Sequence, residues 1–142
     1  MDYPIRHVTK LRVAYYDTDR MGVVWHGNYL KYFEIAREAL LRAHGLPYSE
    51  IEKAGVMMPI SDAQVRYLRP AVYDEILFVE AVVEEPPRAT IHVAYTIRNE
   101  AGETNATGST TLAFVDAATR RPCRPPNALR RRGGQAADVD GP

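Results

Sequence analysis

The sequence has almost no cysteine, and its single thiol, Cys123, excludes an internal disulfide. No apolar run approaches the ~20 residues that a membrane-spanning helix needs. The first six residues, MDYPIR, lack the apolar core of a signal peptide. These absences predict a cytoplasmic protein. Hydrophobic residues make up 46% of the 142 residues, enough for one domain with its own core, which we place at residues 1–131. We expect the remaining residues, 132–142, to be a disordered tail.

The chain also lacks an excess of charge of either sign, because its formal net charge is zero. Six arginines cluster in residues 120–132, a segment with no acid and no aromatic residue. Nucleic-acid modules usually spread basic residues over a face and add aromatic side chains for stacking. We therefore predict no nucleic-acid partner, and interpret the basic segment as either a local anion site or a solvated chain end.

Histidine and cysteine, the usual ligands of transition metals, are scarce. The four histidines are scattered, and no two of them have the spacing of a metal site, so we predict no bound metal. Cys123 stands alone near a proline-rich turn, without a nearby motif. We expect it to be an inert thiol rather than a nucleophile.

The most regular pattern in the chain predicts a long helix over Asn28–Ala43. Apolar residues recur there at i, i+4, i+7 and i+11, in a stripe made of Tyr29, Phe33, Ala36 and Leu40. Three further apolar residues widen this stripe, so we expect most of the helix to be buried: Leu30, Ile35 and Leu41. Gly45 and Pro47 end the helix, and a shorter helix follows over Tyr48–Ala54.

The rest of the pattern predicts β-strands. One strand precedes the long helix, and four follow it: Arg6–Tyr16, then Ile60–Leu68, Ile76–Glu84, Thr90–Arg98 and Thr104–Asp116. Consecutive strands with short turns form an antiparallel sheet, and the apolar helix must lie on one of its faces. The fold class is therefore α+β. A sheet of this kind has unpaired edge strands, and pairing across a two-fold axis covers them, so we predict a homo-oligomer.

The segment from Tyr15 to Tyr29 holds the residues best suited to chemistry. Asp17 and Asp19 stand two residues apart in a loop, and Gly22 provides a backbone angle that other residues resist. A helix N-terminus follows, whose free N–H groups and partial positive charge polarise a carbonyl. A carboxylate facing it can attack that carbonyl or activate water. The pattern favours acyl transfer or hydrolysis, and the residues alone leave both aspartates as candidates.

This segment, YYDTDRMGVVWHGNY, resembles the signature of the 4-hydroxybenzoyl-CoA thioesterase superfamily, most closely its Tol–Pal-associated acyl-CoA thioesterase branch. The similarity spans residues 6–126, with further matches at Pro59-Ile60, Val65–Ala71, Tyr73–Glu75 and Arg88–Ile91. The resemblance implies a hotdog fold, in which a curved antiparallel sheet wraps around one long central helix. It also implies hydrolysis of an acyl-CoA thioester to a free carboxylic acid and CoA, without a cofactor.

The resemblance assigns the catalytic carboxylate to Asp19 and leaves Asp17 a structural role, satisfying loop N–H groups as an Asx-turn does. It places the donor that polarises the thioester carbonyl at the backbone N–H of His26, beside Gly27. The His26 ring either takes part in proton transfer or only packs beside Asp19. We expect Asn28 to cap the helix.

For substrate binding we name Arg88, Thr90, Met58 and Trp25. Arginine grips phosphate in a bidentate fork, and Arg88 precedes the threonine that opens a strand, as in the family. Weaker phosphate candidates are Arg66, Arg69, Arg120, Arg121 and Arg124. The preceding Pro86-Pro87 departs from the family pattern and weakens the case for this loop. Met58 suits an acyl pocket because thioethers adapt to varied shapes.

Two other functions stay open. A hotdog-fold enoyl-CoA hydratase pairs an aspartate with a histidine, but here Asp19 and His26 are separated by Gly22 and belong to a different motif. A non-catalytic module that binds acyl-CoA or acts as a scaffold would bind ligand without turnover. The intact Asp-Thr-Asp loop favours catalysis.

Overall fold

The structure is a computed structural model that describes residues 2–130. The predicted tail at 132–142 lies outside the described residues. Strand β1 (Ile5–Arg12) is followed by a 3-10 turn at Tyr15–Asp17 and then by two helices, α1 (Asn28–Ala43) and α2 (Tyr48–Lys53). The remaining elements are β2 (Val56–Met57), β3 (Ile60–Tyr67), β4 (Ile76–Val83), β5 (Thr90–Asn99), β6 (Thr104–Ala113), β7 (Val115–Asp116) and α3 (Asn127–Arg130).

Five of the strands form one antiparallel sheet in the order β1-β4-β5-β6-β3, and β2 pairs with β7. Helix α1 lies on one face of this sheet, so the predicted α+β architecture is confirmed. Two strand predictions need correction. The first strand ends at Arg12 because the chain turns tightly at Tyr15–Asp17, and the predicted last strand is divided into β6 and β7.

The buried face of α1 differs from the predicted one. The stripe of Tyr29, Phe33, Ala36 and Leu40 is buried as predicted, and so is Leu41. Leu30 and Ile35 are 40% and 41% exposed, so the prediction that they are buried is wrong. Tyr32 and Arg37 are buried instead, because each is held by polar partners: Asp17 for Tyr32, and the hydroxyls of Tyr48 and Tyr95 for Arg37.

A glycine in β6 allows α1 to approach the sheet closely. Phe33 stacks on Tyr95 with ring centroids 4.2 Å apart, and Tyr95 pairs with Gly108 across the β5–β6 ladder. A Cβ at Gly108 would lie 2.3 Å from the Gln64 carbonyl oxygen and 2.6 Å from the Phe33 ring. The absence of a side chain at Gly108 therefore sets how closely α1 packs on the sheet.

Candidate active site

The carboxylate of Asp17 is buried where the loop after β1 meets the start of α1. Only 3% of the residue is exposed. Its Oδ2 accepts hydrogen bonds from the Tyr32 hydroxyl at 2.8 Å and the Ala14 N–H at 3.3 Å, and its Oδ1 pairs with the Lys31 ammonium. Burial raises the pKa of Asp17, but these hydrogen bonds and the Lys31 charge outweigh it, so the pKa is lowered. Asp17 is thus an ionised anchor, turned away from solvent.

The Asp17 carbonyl joins the loop to α1. It accepts hydrogen bonds from the Trp25 N–H at 2.9 Å and from the Asn28 side-chain amide at 2.8 Å. Asn28 is the first residue of α1, and the capping position belongs to Gly27, which makes no side-chain cap. The prediction that Asn28 caps the helix is therefore wrong. Its amide bonds to the preceding loop instead of to the helix N–H groups.

Asp19 lies partly exposed at the tip of the same loop. Its Oδ1 accepts the Met21 N–H at 2.9 Å, so the Asx-type turn predicted for Asp17 is formed by Asp19. Gly22 closes the turn by donating to the Asp19 carbonyl at 3.0 Å, with φ at +80°, the angle predicted to require glycine. Within residues 2–130, the second carboxylate oxygen of Asp19 has no hydrogen-bond donor, so it is available to a substrate or a water molecule.

A short antiparallel pairing holds Asp19 near the start of α1. The Asp19 N–H donates to the Val23 carbonyl at 2.9 Å, and a β-bridge joins Thr18 to Val24. The second arm of this pairing continues through Trp25 into α1. Over the described part of the chain, the N–H groups of His26 and Gly27 have no protein acceptor. Two free donors and a partial positive charge therefore lie at the helix start.

Aromatic rings surround the helix start. The half-exposed Trp25 ring lies over Gly27, where a Cβ would come within 2.1 Å of it. The His26 ring packs 4.8 Å from the Trp25 ring and 6.4 Å from the Tyr67 ring, centroid to centroid, and the Tyr67 hydroxyl donates to the His26 carbonyl at 2.9 Å. This arrangement gives the His26 ring packing partners, and its carbonyl a fixed position.

The predicted substrate-binding residues do not all lie together in one chain. Trp25 lies at the helix start, but Thr90 pairs with Ala113 at the far end of the sheet, where β3 begins. Arg88 and Met58 lie at that far end too. The eight residues of β3 span roughly 23 Å, so the two groups are separated by about the length of that strand. The Arg88 side chain is exposed and has no partner among residues 2–130, while Met58 packs partly against the core.

Three residues near this loop were not identified from the sequence: Lys31, Tyr32 and Tyr67. Of the three, Lys31 is the one that the sequence could have indicated. A cation close to a helix N-terminus opposes the helix dipole unless a carboxylate compensates it. Tyr32 resembles a core residue in the apolar pattern, and its hydroxyl contact with Asp17 is not encoded in any spacing. Tyr67 is the last residue of β3, and its contact with the His26 carbonyl depends on the sheet topology.

Within residues 2–130, no three histidine, cysteine, aspartate or glutamate side chains are grouped closely enough to hold a metal ion. No helix in that part of the chain is long and apolar enough to span a membrane.

Comparison with known proteins places the chain in a family. Residues 13–133 match the thioesterase-like superfamily. A Bacillus subtilis protein named "Putative acyl-CoA thioesterase YneP" is 36% identical over 118 residues, covering 82% of this chain and 86% of that protein. The DHNA-CoA thioesterase structure from Staphylococcus aureus superposes with a TM-score of 0.81 at 38% identity, covering 84% of this chain and 80% of that one.

A variant of 4-hydroxybenzoyl-CoA thioesterase, solved with 4-hydroxybenzoyl-CoA, superposes with a TM-score of 0.78 at 19% identity. The superposition covers 87% of this chain and 95% of the variant, and at this identity the likeness shows the fold alone. The fold is the hotdog fold, and the class of protein is a thioester hydrolase. The chain belongs to the thioesterase-like superfamily.

Proposed function

We propose that the protein hydrolyses an acyl-CoA thioester to the free carboxylic acid and CoA, with Asp19 as nucleophile or general base. The observation that carries this proposal is the arrangement at the loop. Among residues 2–130, one carboxylate oxygen of Asp19 has no donor, and the N–H groups of His26 and Gly27 have no acceptor. The pairing of Asp19 with Val23 holds this carboxylate near the helix start where those N–H groups lie. The family membership and the named activities of the relatives support the reaction class.

In this mechanism the thioester carbonyl oxygen accepts hydrogen bonds from the backbone N–H groups of His26 and Gly27. These donors are fixed by the helix, so they stabilise the developing oxyanion without reorganisation. Asp19 either attacks the carbonyl carbon or takes a proton from the attacking water. The CoA thiolate is a good leaving group, so the reaction needs no strong general acid and, in this proposal, no metal or cofactor.

A second copy of the chain would complete the site. Strand β3 is a sheet edge of eight residues, and apart from the partly buried Val65 all of them are exposed. Antiparallel pairing of β3 with its copy would bring the Met58 and Thr90 end of one chain beside the His26 end of the other. This pairing would place Arg88 where a CoA phosphate could lie, while Trp25 and Met58 line the acyl side.

Thiol release from a panel of acyl-CoAs, from acetyl to palmitoyl and including aromatic acyl groups, tests this function. Turnover of at least one thioester is expected. Binding of acyl-CoA without thiol release would favour the non-catalytic module. Hydration of an enoyl-CoA without thiol release would favour the hydratase. The assignment to the Tol–Pal-associated branch and the cytoplasmic location stay predictions, because this assay does not test them.

A further inference from the structure

We propose that Lys31 is a positioning residue of this site, which pairs with buried Asp17 and so holds the loop bearing Asp19 against the first turn of α1. The inference rests on the proposed function. It assigns a role to a residue that makes no contact with the reacting atoms in the proposed mechanism.

The contacts around Asp17 carry the inference. Three donors converge on its carboxylate, and Lys31 is the cation among them; Tyr32 and the Ala14 N–H are neutral. The Asp17 side chain is only 4% exposed, so its carboxylate needs such compensation to remain charged. Without Lys31, two neutral donors would have to hold a buried charge.

Asp17 also contacts both sides of the site through its backbone carbonyl. The Asp17 carbonyl fixes Trp25 and Asn28, and Asp19 stands two residues further along the chain. Displacement of Asp17 would therefore move Asp19 and the helix-start donors relative to each other. A misplacement of about 1 Å in such a pair can cost up to ~10²-fold in rate.

The position of Lys31 allows it to hold the loop against α1. Its side chain is 43% exposed, and its ammonium pairs with Asp17. The same ammonium lies 5.5 Å from the Tyr16 ring centroid and 5.8 Å from the Tyr32 ring centroid. The ammonium thus joins the 3-10 turn to α1. Among the described residues, the titratable groups around Asp17 are Lys31 and Tyr32 on α1, with Tyr16 beside Lys31 and Tyr29 beside Tyr32.

The kinetic test compares Lys31→Met with Lys31→Arg, and uses Lys53→Met as the matched control. Lys53 forms an exposed ion pair with Glu50 at 3.3 Å on α2. We expect Lys31→Met to lower kcat about tenfold or more, with KM within twofold. Lys31→Arg should restore most of kcat, and Lys53→Met should leave it unchanged. Lys31→Gln replaces Lys31→Met if circular dichroism shows the latter to be misfolded.

A second readout does not depend on activity. Trp25 is the only tryptophan in the chain, and its N–H bonds to the Asp17 carbonyl, so its fluorescence reports the loop. The measurement is an acid titration in a His26→Gln background, which removes the neighbouring imidazole. Lys31→Met should move the acid midpoint of Trp25 fluorescence to higher pH, because Asp17 then takes up a proton more readily.

Three results would overturn the proposal. One is an unchanged kcat together with an unchanged Trp25 midpoint in Lys31→Met. Another is a rise in KM with kcat retained, which would make Lys31 a phosphate contact. The third is failure of Lys31→Arg to restore kcat. If the wild-type protein releases no thiol from any acyl-CoA, the proposed function fails, and the fluorescence titration alone decides whether Lys31 holds the loop.

Discussion

The two aspartates of the loop differ in what surrounds them. Their spacing in the sequence marked both as candidates, and the family resemblance chose Asp19. The structure shows a buried carboxylate at Asp17, with both oxygens paired, and a partly exposed one at Asp19, with one oxygen that no described residue contacts. The spacing of the two aspartates could not show this difference, because it depends on Lys31 and Tyr32 of a helix that begins eleven residues after Asp17.

The lowered pKa of Asp17 predicts how stability depends on pH. A carboxyl group whose folded pKa lies below its unfolded value, about 3.9, stabilises the fold above that value. The stabilisation is lost as pH falls through the folded pKa. Asp17→Asn should therefore cost about 1.5–3 kcal/mol in the free energy of unfolding at pH 7, and progressively less in acid.

Urea unfolding at several pH values between 7 and 3 checks this prediction. The exposed Asp74, paired with Arg12 at 3.2 Å, provides the control, because asparagine tolerates its positive φ of 72°. Asp74→Asn should change the free energy of unfolding by less than about 0.5 kcal/mol. A constant cost for Asp17→Asn across the whole pH range would show that Asp17 does not gain stability from ionisation.

Arg88 should act on binding rather than on the chemical step. In the proposed dimer it meets a CoA phosphate, which is remote from the thioester carbonyl. Arg88→Ala should raise KM severalfold and leave kcat near the wild-type value, with the largest effect at low salt. Arg98→Ala, which removes an exposed arginine on β5, is the control. Equal KM values for wild type and Arg88→Ala at both low and moderate salt would remove Arg88 from the site.

At the scale of the elements, periodicity in the sequence was informative for α1 and less so for strand ends. The bounds of α1 agree with the predicted Asn28–Ala43, because a helical stripe of four buried residues leaves little freedom. Its exposed side was not predicted. Leu30 and Ile35 are apolar yet exposed, whereas Arg37 is buried by hydroxyl partners that come from α2 and β5. Such partners become visible only when the chain is folded.

Gly108 gives a test of how α1 packs on the sheet. A methyl group there would meet the Gln64 carbonyl oxygen and the Phe33 ring, both held by neighbouring elements. Gly108→Ala should therefore cost about 1–3 kcal/mol in the free energy of unfolding through overpacking. Ser109→Ala, the adjacent position on the opposite face of β6, should have a small effect. If Gly108→Ala were as stable as wild type, α1 would not pack as closely as the structure shows.

At the scale of the whole molecule, the separation of the site residues argues for a second copy. The sequence predicted an oligomer from unpaired edges alone, and the structure identifies β3 as an exposed edge at the site. It could not be predicted from the sequence that Arg88 and His26 lie at opposite ends of one sheet. That fact depends on the order of the strands, in which β3 pairs with β6 rather than with its neighbour in sequence.

A charge on the β3 edge should separate the copies. Ala63→Lys places a lysine near the middle of β3, and inward or edge charges oppose strand pairing. Sedimentation should show wild-type protein at about twice 16.0 kDa or more, and Ala63→Lys shifted toward 16.0 kDa with reduced turnover. Val8→Lys on β1, the opposite edge, is the control and should not change the mass. A fully active wild-type monomer would contradict the shared site.

The catalytic role of Asp19 is tested most directly by the turnover of the best acyl-CoA substrate by Asp19→Asn, with Asp74→Asn as the control. An amide at position 19 is neither a nucleophile nor a base. We expect a loss of at least ~10²-fold in kcat for Asp19→Asn, with an unchanged thermal unfolding temperature, and wild-type turnover for Asp74→Asn. Retention of turnover by a well-folded Asp19→Asn would contradict the assignment of Asp19 as the catalytic carboxylate.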